Sequence, residues 1–358
     1  MSIIKEIAKT AGRARYTAAQ GLRTAWYGGQ FMVVRRRSAG FQRPGEPLFK
    51  PEHAPNLRAM RKAYFDLFRK DRANIEAGLY PDPVSRDMRL RDLPRTIRRA
   101  RAFLADVAEV DRRRIDRNGT EVRASEAADP KRFPGYYRQN FHYQTDGWLS
   151  EDSANLYDHQ VEALFTGSAD AMRRAALAEL LKEIEGRPPA EVNVLDLACG
   201  TGRFMRQTLE ASPRLNLTGL DLSPPYSEAA RKAVRNFPQA DVVEGKAEEL
   251  PFDDASFDAI ISIYLFHELP PKIRREVILE AARAVKPGGV FIVADSLQFG
   301  DNEGLNGFLE YFPEGFHEPY YKGYLSWDFT PDMEAAGLIL ERTQLAFLTK
   351  VNVWRKAH

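Results

Sequence analysis

From Val192 onward the apolar residues gather in short runs, and the stretches between them space apolar positions three and four apart. Runs near 192–197, 215–221, 240–243, 258–263 and 289–295 have the length of buried strands, and the intervening period is helical. Such alternation predicts repeated βα units, hence a parallel sheet covered by helices on both faces. After Gly337 two further runs, 338–346 and 348–354, lie close enough to pair as a hairpin.

The N-terminal third has a different pattern. Over residues 2–37, Ile3, Ile4, Ile7 and Ala11, then Tyr16, Leu22 and Trp26, recur among Lys5, Lys9, Arg13, Arg15 and Arg23, as in a basic amphipathic helix. Two placements suit it: a membrane-surface anchor, or a helix packed on its own protein with solvated arginines. Prolines 44, 47, 51 and 55 mark 38–55 as a linker. Helices are expected over 56–76, with Leu57, Met60, Tyr64, Leu67 and Phe68 as its apolar stripe, and over 93–115, with Ile97, Ala100, Phe103, Leu104 and Val107. Residues 116–135 have loop composition. The stretch 136–150 is dense in aromatics, and helices over 153–165 and 169–184 lead into the first strand.

Composition narrows the functional classes. The single cysteine, Cys199, excludes an intrachain disulfide framework and a cysteine-rich zinc site. No apolar stretch reaches the roughly 20 residues needed to cross a bilayer, and no signal-peptide pattern opens the chain, so a cytoplasmic location is expected, with peripheral contact at the inner membrane face through 1–37 as its variant. The near-neutral total charge hides an asymmetry: residues 1–150 hold 31 Lys+Arg against 17 Asp+Glu, and the remainder 21 against 33. The basic half is expected to face something acidic.

The chemistry is concentrated where the first strand ends. Val194-Leu-Asp-Leu-Ala-Cys-Gly-Thr-Gly carries an apolar strand into a glycine turn, and Asp221 closes the next strand. Glycines let the backbone pass close to a ligand, and an acid about twenty residues on can accept both hydroxyls of a ribose, which together indicate a nucleoside-containing cofactor. A third glycine is missing, and Asp196 would repel a phosphate at the helix N-terminus. A cationic, phosphate-free ligand suits the turn better.

These residues resemble motif I of class I S-adenosylmethionine-dependent methyltransferases, with Asp196, Gly200 and Gly202 on the motif's acid and glycines and Asp221 on the ribose-binding acid. The resemblance continues through Gly245-Lys-Ala-Glu-Glu-Leu-Pro-Phe, Ser256-Phe-Asp-Ala-Ile-Ile-Ser and Ala284-Val-Lys-Pro-Gly-Gly-Val-Phe-Ile-Val-Ala-Asp, and is strongest to the ubiquinone/menaquinone type of small-molecule methyltransferase. It implies a Rossmann-like sheet of seven strands, the last antiparallel, over residues 136–358, with a basic helical extension over 1–135 and an acceptor-site insertion near 297–330. It implies S-adenosylmethionine held by Asp196, Ala198, Gly200, Thr201, Gly202, Asp221, Leu222, Ala247, Glu248 and Ile263. One departure is Lys246, where many relatives carry an acid; Glu248 is the alternative partner for the adenine amino group.

Methyl transfer needs few catalytic side chains, because the cofactor supplies the electrophile. His267, just beyond the fourth strand, is the candidate general base, weighed against a capping or packing role. Tyr143, Trp148 and Tyr157 are candidates for a lid over the ligands; His317-Glu318 is a second candidate pair for the base, and His317 and Tyr320 in the aromatic insertion are candidates for an acceptor pocket, each group weighed against self-packing. Ser223-Pro-Pro-Tyr reads as a helix start rather than a catalytic tetrapeptide. His267-Glu268 lacks the second histidine of a zinc signature, and no other clustered ligand set is visible. The expected acceptor is a hydrophobic or aromatic small molecule of quinone, tetrapyrrole, phenolic or lipid type. RNA or protein methylation and a non-catalytic, S-adenosylmethionine-binding regulator remain as alternatives; nucleic acid is disfavoured by the acidic catalytic half, and the oligomeric state stays open.

Overall fold

The computed structural model describes residues 2–38, 45, 47, 49–83 and 92–358, with side chains from residue 9 onward. The side chains of Ile3, Ile4, Lys5 and Ile7, and Pro44 of the expected linker, lie outside the described residues.

Seven strands form one sheet: β1 (Asn193–Leu197), β2 (Asn216–Asp221), β3 (Ala240–Glu244), β4 (Phe257–Ile263), β5 (Val285–Ser296), β6 (Leu338–Ala346) and β7 (Thr349–Lys356), in the order β3-β2-β1-β4-β5-β7-β6. The first five pair in parallel; β7 runs antiparallel to both β5 and β6. This is the Rossmann-like sheet of seven strands, the last antiparallel, that the resemblance implies. Side chains alternate across it: Val194, Ala259, Ile261 and Ile292 join the core on one face, and Leu195, Leu197, Ile260 and Phe291 the core on the other. The inner strands β1, β4, β5 and β7 are covered on both faces, which is why they read as largely apolar runs, while the edge strands β3 and β6 are partly exposed.

Local chemistry sets the helix ends. In α2 (Leu57–Glu76), the Asn56 side chain accepts from the N–H groups of Arg58 and Ala59. Ser150 caps α4 (Glu151–Leu164) in the same way through Ser153, and Ser223 caps α7 (Pro224–Val234), whose first turn holds the prolines. The Ser223-Pro-Pro-Tyr segment is therefore a helix start. α3 (Leu93–Asp116) and α5 (Ala169–Glu183) fall within two residues of their expected bounds. α6 (Arg203–Ala211) follows the glycine turn, and α8 (Pro271–Ala284) precedes β5.

The N-terminal segment is one continuous helix, α1 (Ser2–Arg37), that Gly28-Gly29 does not interrupt. Its inward stripe is Tyr16, Arg23, Tyr27 and Gln30, and Leu22, expected on the apolar face, is 62% exposed. The stripe is tied down by polar contacts. Tyr16 donates to Asp71 at 2.5 Å, Gln30 meets His159 at 2.7 Å, and Arg23 lies 2.7 Å from Glu162 and 3.0 Å from Asp170. From Tyr16 onward α1 is thus packed on its own chain. No described helix is long and apolar enough to cross a membrane.

Candidate functional site

Strand order reverses between β1 and β4, because the chain leaves β1 toward β2 on one side and returns to β4 on the other. In open α/β sheets ligands bind outside the carboxyl ends of the strands at that point. A cavity of about 770 Å³, counting its open mouth, lies there. Its floor is Ala198, Gly200, Ile263, Tyr264 and Leu265; one side is Leu220, Asp221, Leu222, Gly245, Ala247 and Glu248; Glu268 and Leu269 close the far end. Two non-glycine floor residues adopt positive φ, Ala198 at 62° and Tyr264 at 58°. Such strain persists only where the surroundings fix it.

The roof comes from the segment before α4 and from α4 itself. Tyr136, Tyr137, Phe141, Trp148 and Tyr157 all line the cavity. Phe141 and Trp148 stack with centroids 4.2 Å apart and planes 9° from parallel, and Tyr157 meets Tyr226 edge-on. The Tyr136 hydroxyl donates to Glu248 at 2.5 Å. Burial pushes the Tyr137 and Tyr157 phenols well above their ordinary value, so both stay neutral.

Asp221 is aimed by backbone donors. Its Oδ2 accepts from Gly200 N–H and its Oδ1 from Ser223 N–H, each at 2.8 Å, which leaves one lone pair on each oxygen for a ligand diol. Burial lifts its pKa to about 6, opposed by those same bonds. Asp196 lies behind the cavity wall on the β1 face that carries Val194. It is 1% exposed, its Oδ2 has no hydrogen-bond partner, and burial together with the charge of Asp221 raises it to about 8.

Among the lining residues are three carboxyls, Asp221, Glu248 and Glu268, and no lysine or arginine. Lys246 points away and pairs with Glu249. Such a wall disfavours phosphate and favours a cation. An aimed carboxylate for a ribose, small apolar edges at Leu222 and Ala247, and an orphaned buried acid beneath the glycine turn fit S-adenosylmethionine, which carries an ammonium, a sulfonium and a ribose but no phosphate.

The structure brings together Ala198, Gly200, Asp221, Leu222, Ala247, Glu248, Ile263 and Tyr157 on the cavity surface. Thr201 and Gly202 shape the turn instead. The Thr201 hydroxyl donates to Asp158 at 3.1 Å, and Gly202, at φ 72°, lets α6 approach α7 so closely that a Cβ would meet Ala230 Cα at 2.8 Å.

His267, the candidate general base, is not among the residues that line the cavity. Its Nδ1 is 2.5 Å from Asp295, and although burial pushes its pKa down, that carboxylate lifts it to about 9. The Asp295 carboxylate thus favours the protonated ring. The lining carboxyl is its neighbour Glu268.

Tyr143, His317 and Tyr320 also stand outside the cavity, gathered around Gln139. His317 Nε2 is 2.7 Å from the Gln139 oxygen, the Gln139 amide donates to the Tyr320 hydroxyl at 3.1 Å, and Tyr143 packs on the His317 ring at 5.6 Å. They brace the roof from behind. The aromatic insertion folds as α9 (Asn306–Gly315) and α10 (Tyr321–Leu325), whose Leu309, Tyr321 and Leu325 pack together with Leu297 and Leu305. No residue of 297–330 lines the cavity. Lining residues that the sequence did not single out include Tyr136, Tyr137, Phe141, Tyr226, Tyr264 and Glu268, with Leu220, Leu265 and Leu269 as apolar wall. The density of aromatics over 136–150 was the available signal, but not which rings turn inward.

Comparison with known proteins gives the domain type. Residues 194–289 match the family described as methyltransferase domain. An uncharacterized methyltransferase of Synechocystis is 38% identical over 28% of this chain and 46% of its own length. The demethylmenaquinone methyltransferase of Thermotoga maritima is 32% identical over 42% of this chain and 60% of its own. The phthiotriol/phenolphthiotriol dimycocerosates methyltransferase of Mycobacterium tuberculosis is 37% identical over 28% and 37%. The matched part thus spans between about a third and three fifths of the length of these relatives.

Proposed function

We propose that this protein transfers a methyl group from S-adenosylmethionine to a hydrophobic or aromatic small molecule. The observation that carries the reading is the cavity at the strand-order reversal, lined by three carboxyls without a basic side chain, with Asp221 aimed into it by two backbone donors. The methyltransferase-domain match covers the same strands.

When bound, the cofactor supplies an electrophilic methyl on a sulfonium, and the chain's task is to position two reactants and exclude water. Asp221 binds the ribose hydroxyls, and Leu222 and Ala247 edge the adenine. The orphaned carboxyl of Asp196 stabilises positive charge beneath the glycine turn. The Phe141–Trp148 stack, with Tyr137 and Tyr157, keeps the roof apolar and neutral, which suits a flat or greasy acceptor. Relatives named for demethylmenaquinone and for phthiotriol dimycocerosates support an acceptor of that class.

Much of the basic character of the N-terminal third is engaged within the chain. Arg13 pairs with Glu76, Arg15 with Asp82, Arg113 with Glu121 and Arg114 with Asp111. This favours a small-molecule acceptor over RNA, and packing of α1 on its own protein over a bilayer anchor. The test is transfer of labelled methyl from S-adenosylmethionine into a cell extract split into organic, nucleic-acid and protein fractions, with Asp221→Ala as control. Label in the organic fraction, lost in the variant, is expected. Label in RNA or protein overturns the acceptor class, and cofactor binding without label anywhere moves the reading to a regulator.

A further inference from the structure

Behind the far end of the cavity the fold gathers ligand-type side chains that no contiguous stretch of sequence carries. His142, from the turn that follows Asn140, Glu268, just beyond β4, and Glu318, between α9 and α10, bring an imidazole nitrogen and two carboxylates within 4.8 Å of one another. His142 Nε2 stands 2.5 Å from Glu318 Oε1 and 4.0 Å from Glu268 Oε1. The nearer contact lies off the line of an N–H···O bond, so neither Glu318 oxygen has a hydrogen-bond donor, although that side chain is wholly shielded from solvent. A buried carboxylate without a donor is costly unless something not yet counted compensates it.

The charges around the group do not supply that compensation. Asp295 already takes the ring of His267 and the N–H of Phe266. Arg274 donates to the carbonyl oxygens of Phe266 and Tyr320. Phe312 and Phe316 present ring edges to His142. Glu268 and Glu318 are left with the His142 imidazole between them and with the His267 ring, whose Nε2 is 3.9 Å from Glu268 Oε1 and whose Nδ1 is already bound to Asp295.

We propose that His142, Glu268 and Glu318 bind one divalent first-row transition cation, reached from the cavity through Glu268. A mixed imidazole and carboxylate set suits zinc, manganese or iron better than magnesium or calcium. With metal bonds of about 2.0–2.2 Å, ligand atoms stand roughly 3.0–3.5 Å apart, so the 2.5 Å contact opens and the 4.0 Å one closes by about half an ångström or more. Three protein ligands leave further coordination positions for oxygen donors. The cation site stands on its own; what it adds to the acceptor rests on the methyl-transfer reading, where it selects molecules with adjacent oxygens, such as neighbouring hydroxyls or a hydroxyl beside a carbonyl.

The test uses the full chain after chelation, titrated calorimetrically with Zn²⁺ and with Mn²⁺ and followed by visible absorption with Co²⁺. One ion per chain is expected, and His142→Ala and Glu318→Gln should each weaken binding about tenfold or more. Absence of saturable one-to-one binding for all three ions, or unchanged binding in both variants, overturns the proposal. Should a variant fail to fold, the wild-type Co²⁺ spectrum decides: ligand-field bands of bound cobalt support the site, and the spectrum of the aqueous ion refutes it. Titration with S-adenosylhomocysteine runs in parallel. Ion binding without nucleoside binding sinks the methyl-transfer reading and leaves the metal site, and the reverse sinks the metal site alone.

Discussion

Asp196→Asn separates folding from function at the site's most unusual group. The carboxyl is buried without a partner for Oδ2, and burial first, then the Asp221 charge, lift it from 3.8 to about 8. Between those values the folded chain holds a proton that the unfolded chain releases. Stability contributed at this position therefore falls as pH rises from about 4 to about 8, and levels above that. A gap of about four pKa units corresponds to at most about 5 kcal/mol, and local relaxation reduces it, so a gain of about 1–3 kcal/mol is expected for an asparagine that cannot ionise. The variant should be more stable than the parent at about pH 8, and its advantage should shrink toward about pH 4.5 in denaturant titrations. A cation bound at the glycine turn draws the proton off Asp196 and pairs with the resulting charge, which asparagine cannot supply, so S-adenosylmethionine should bind at least about tenfold more weakly by calorimetry, a loss of about 1.4 kcal/mol. A variant that is less stable at about pH 8, a pH-independent difference, or unchanged affinity would show that Asp196 is not a buried, proton-holding acid beneath the ligand.

Three further outcomes follow from packing and charge. Arg23→Ala leaves Glu162 buried without its nearest cation, with Oε2 already lacking a donor, and should cost about 3–5 kcal/mol in denaturant unfolding; a loss below about 1 kcal/mol would mean that α1 is not anchored there. Gly202→Ala places a methyl 2.8 Å from Ala230 Cα at φ 72°, so both thermal stability and S-adenosylhomocysteine affinity should fall, and a variant equal to the parent in both measurements would contradict the close approach of α6 and α7. Trp148→Ala removes one ring of the Phe141 stack and opens the roof; we expect kcat/KM to drop about tenfold or more while cofactor affinity changes less, and the opposite split would place the stack over the nucleoside instead.

The sheet was legible because its inner strands are buried on both faces. Runs such as Val194 to Leu197 and Phe257 to Ile263 are apolar except at Asp196, Asp258 and Ser262, and that pattern survives any loop chemistry. The ribose acid was legible for a related reason: Asp221 must end β2 beside Gly200, so its spacing from the glycine turn is fixed by one βαβ unit. The inward face of α1 was not. Arg23 and Gln30 are drawn inside by Glu162, Asp170 and His159, residues more than a hundred positions away, and a hydropathy pattern cannot see buried ion pairs. The exchange of His267 for Glu268 has the same origin, since Asp295 pulls the imidazole away from the cavity and only the fold brings that strand end alongside. The grouping of His142, Glu268 and Glu318 spans three distant segments and leaves no spacing to read. Likewise, the insertion's rings were visible as composition, but Tyr321 and Leu325 satisfy one another rather than a ligand.

A crystal structure of the protein with S-adenosylhomocysteine would show whether the cavity holds the nucleoside by Asp221 with its positive end toward Asp196. Both ribose hydroxyls should lie within hydrogen-bond distance of the Asp221 carboxylate, the adenine between Leu222 and Ala247, and the ammonium at the glycine turn above Asp196. A ligand seated elsewhere, or one whose ribose leaves Asp221 untouched, would contradict this placement.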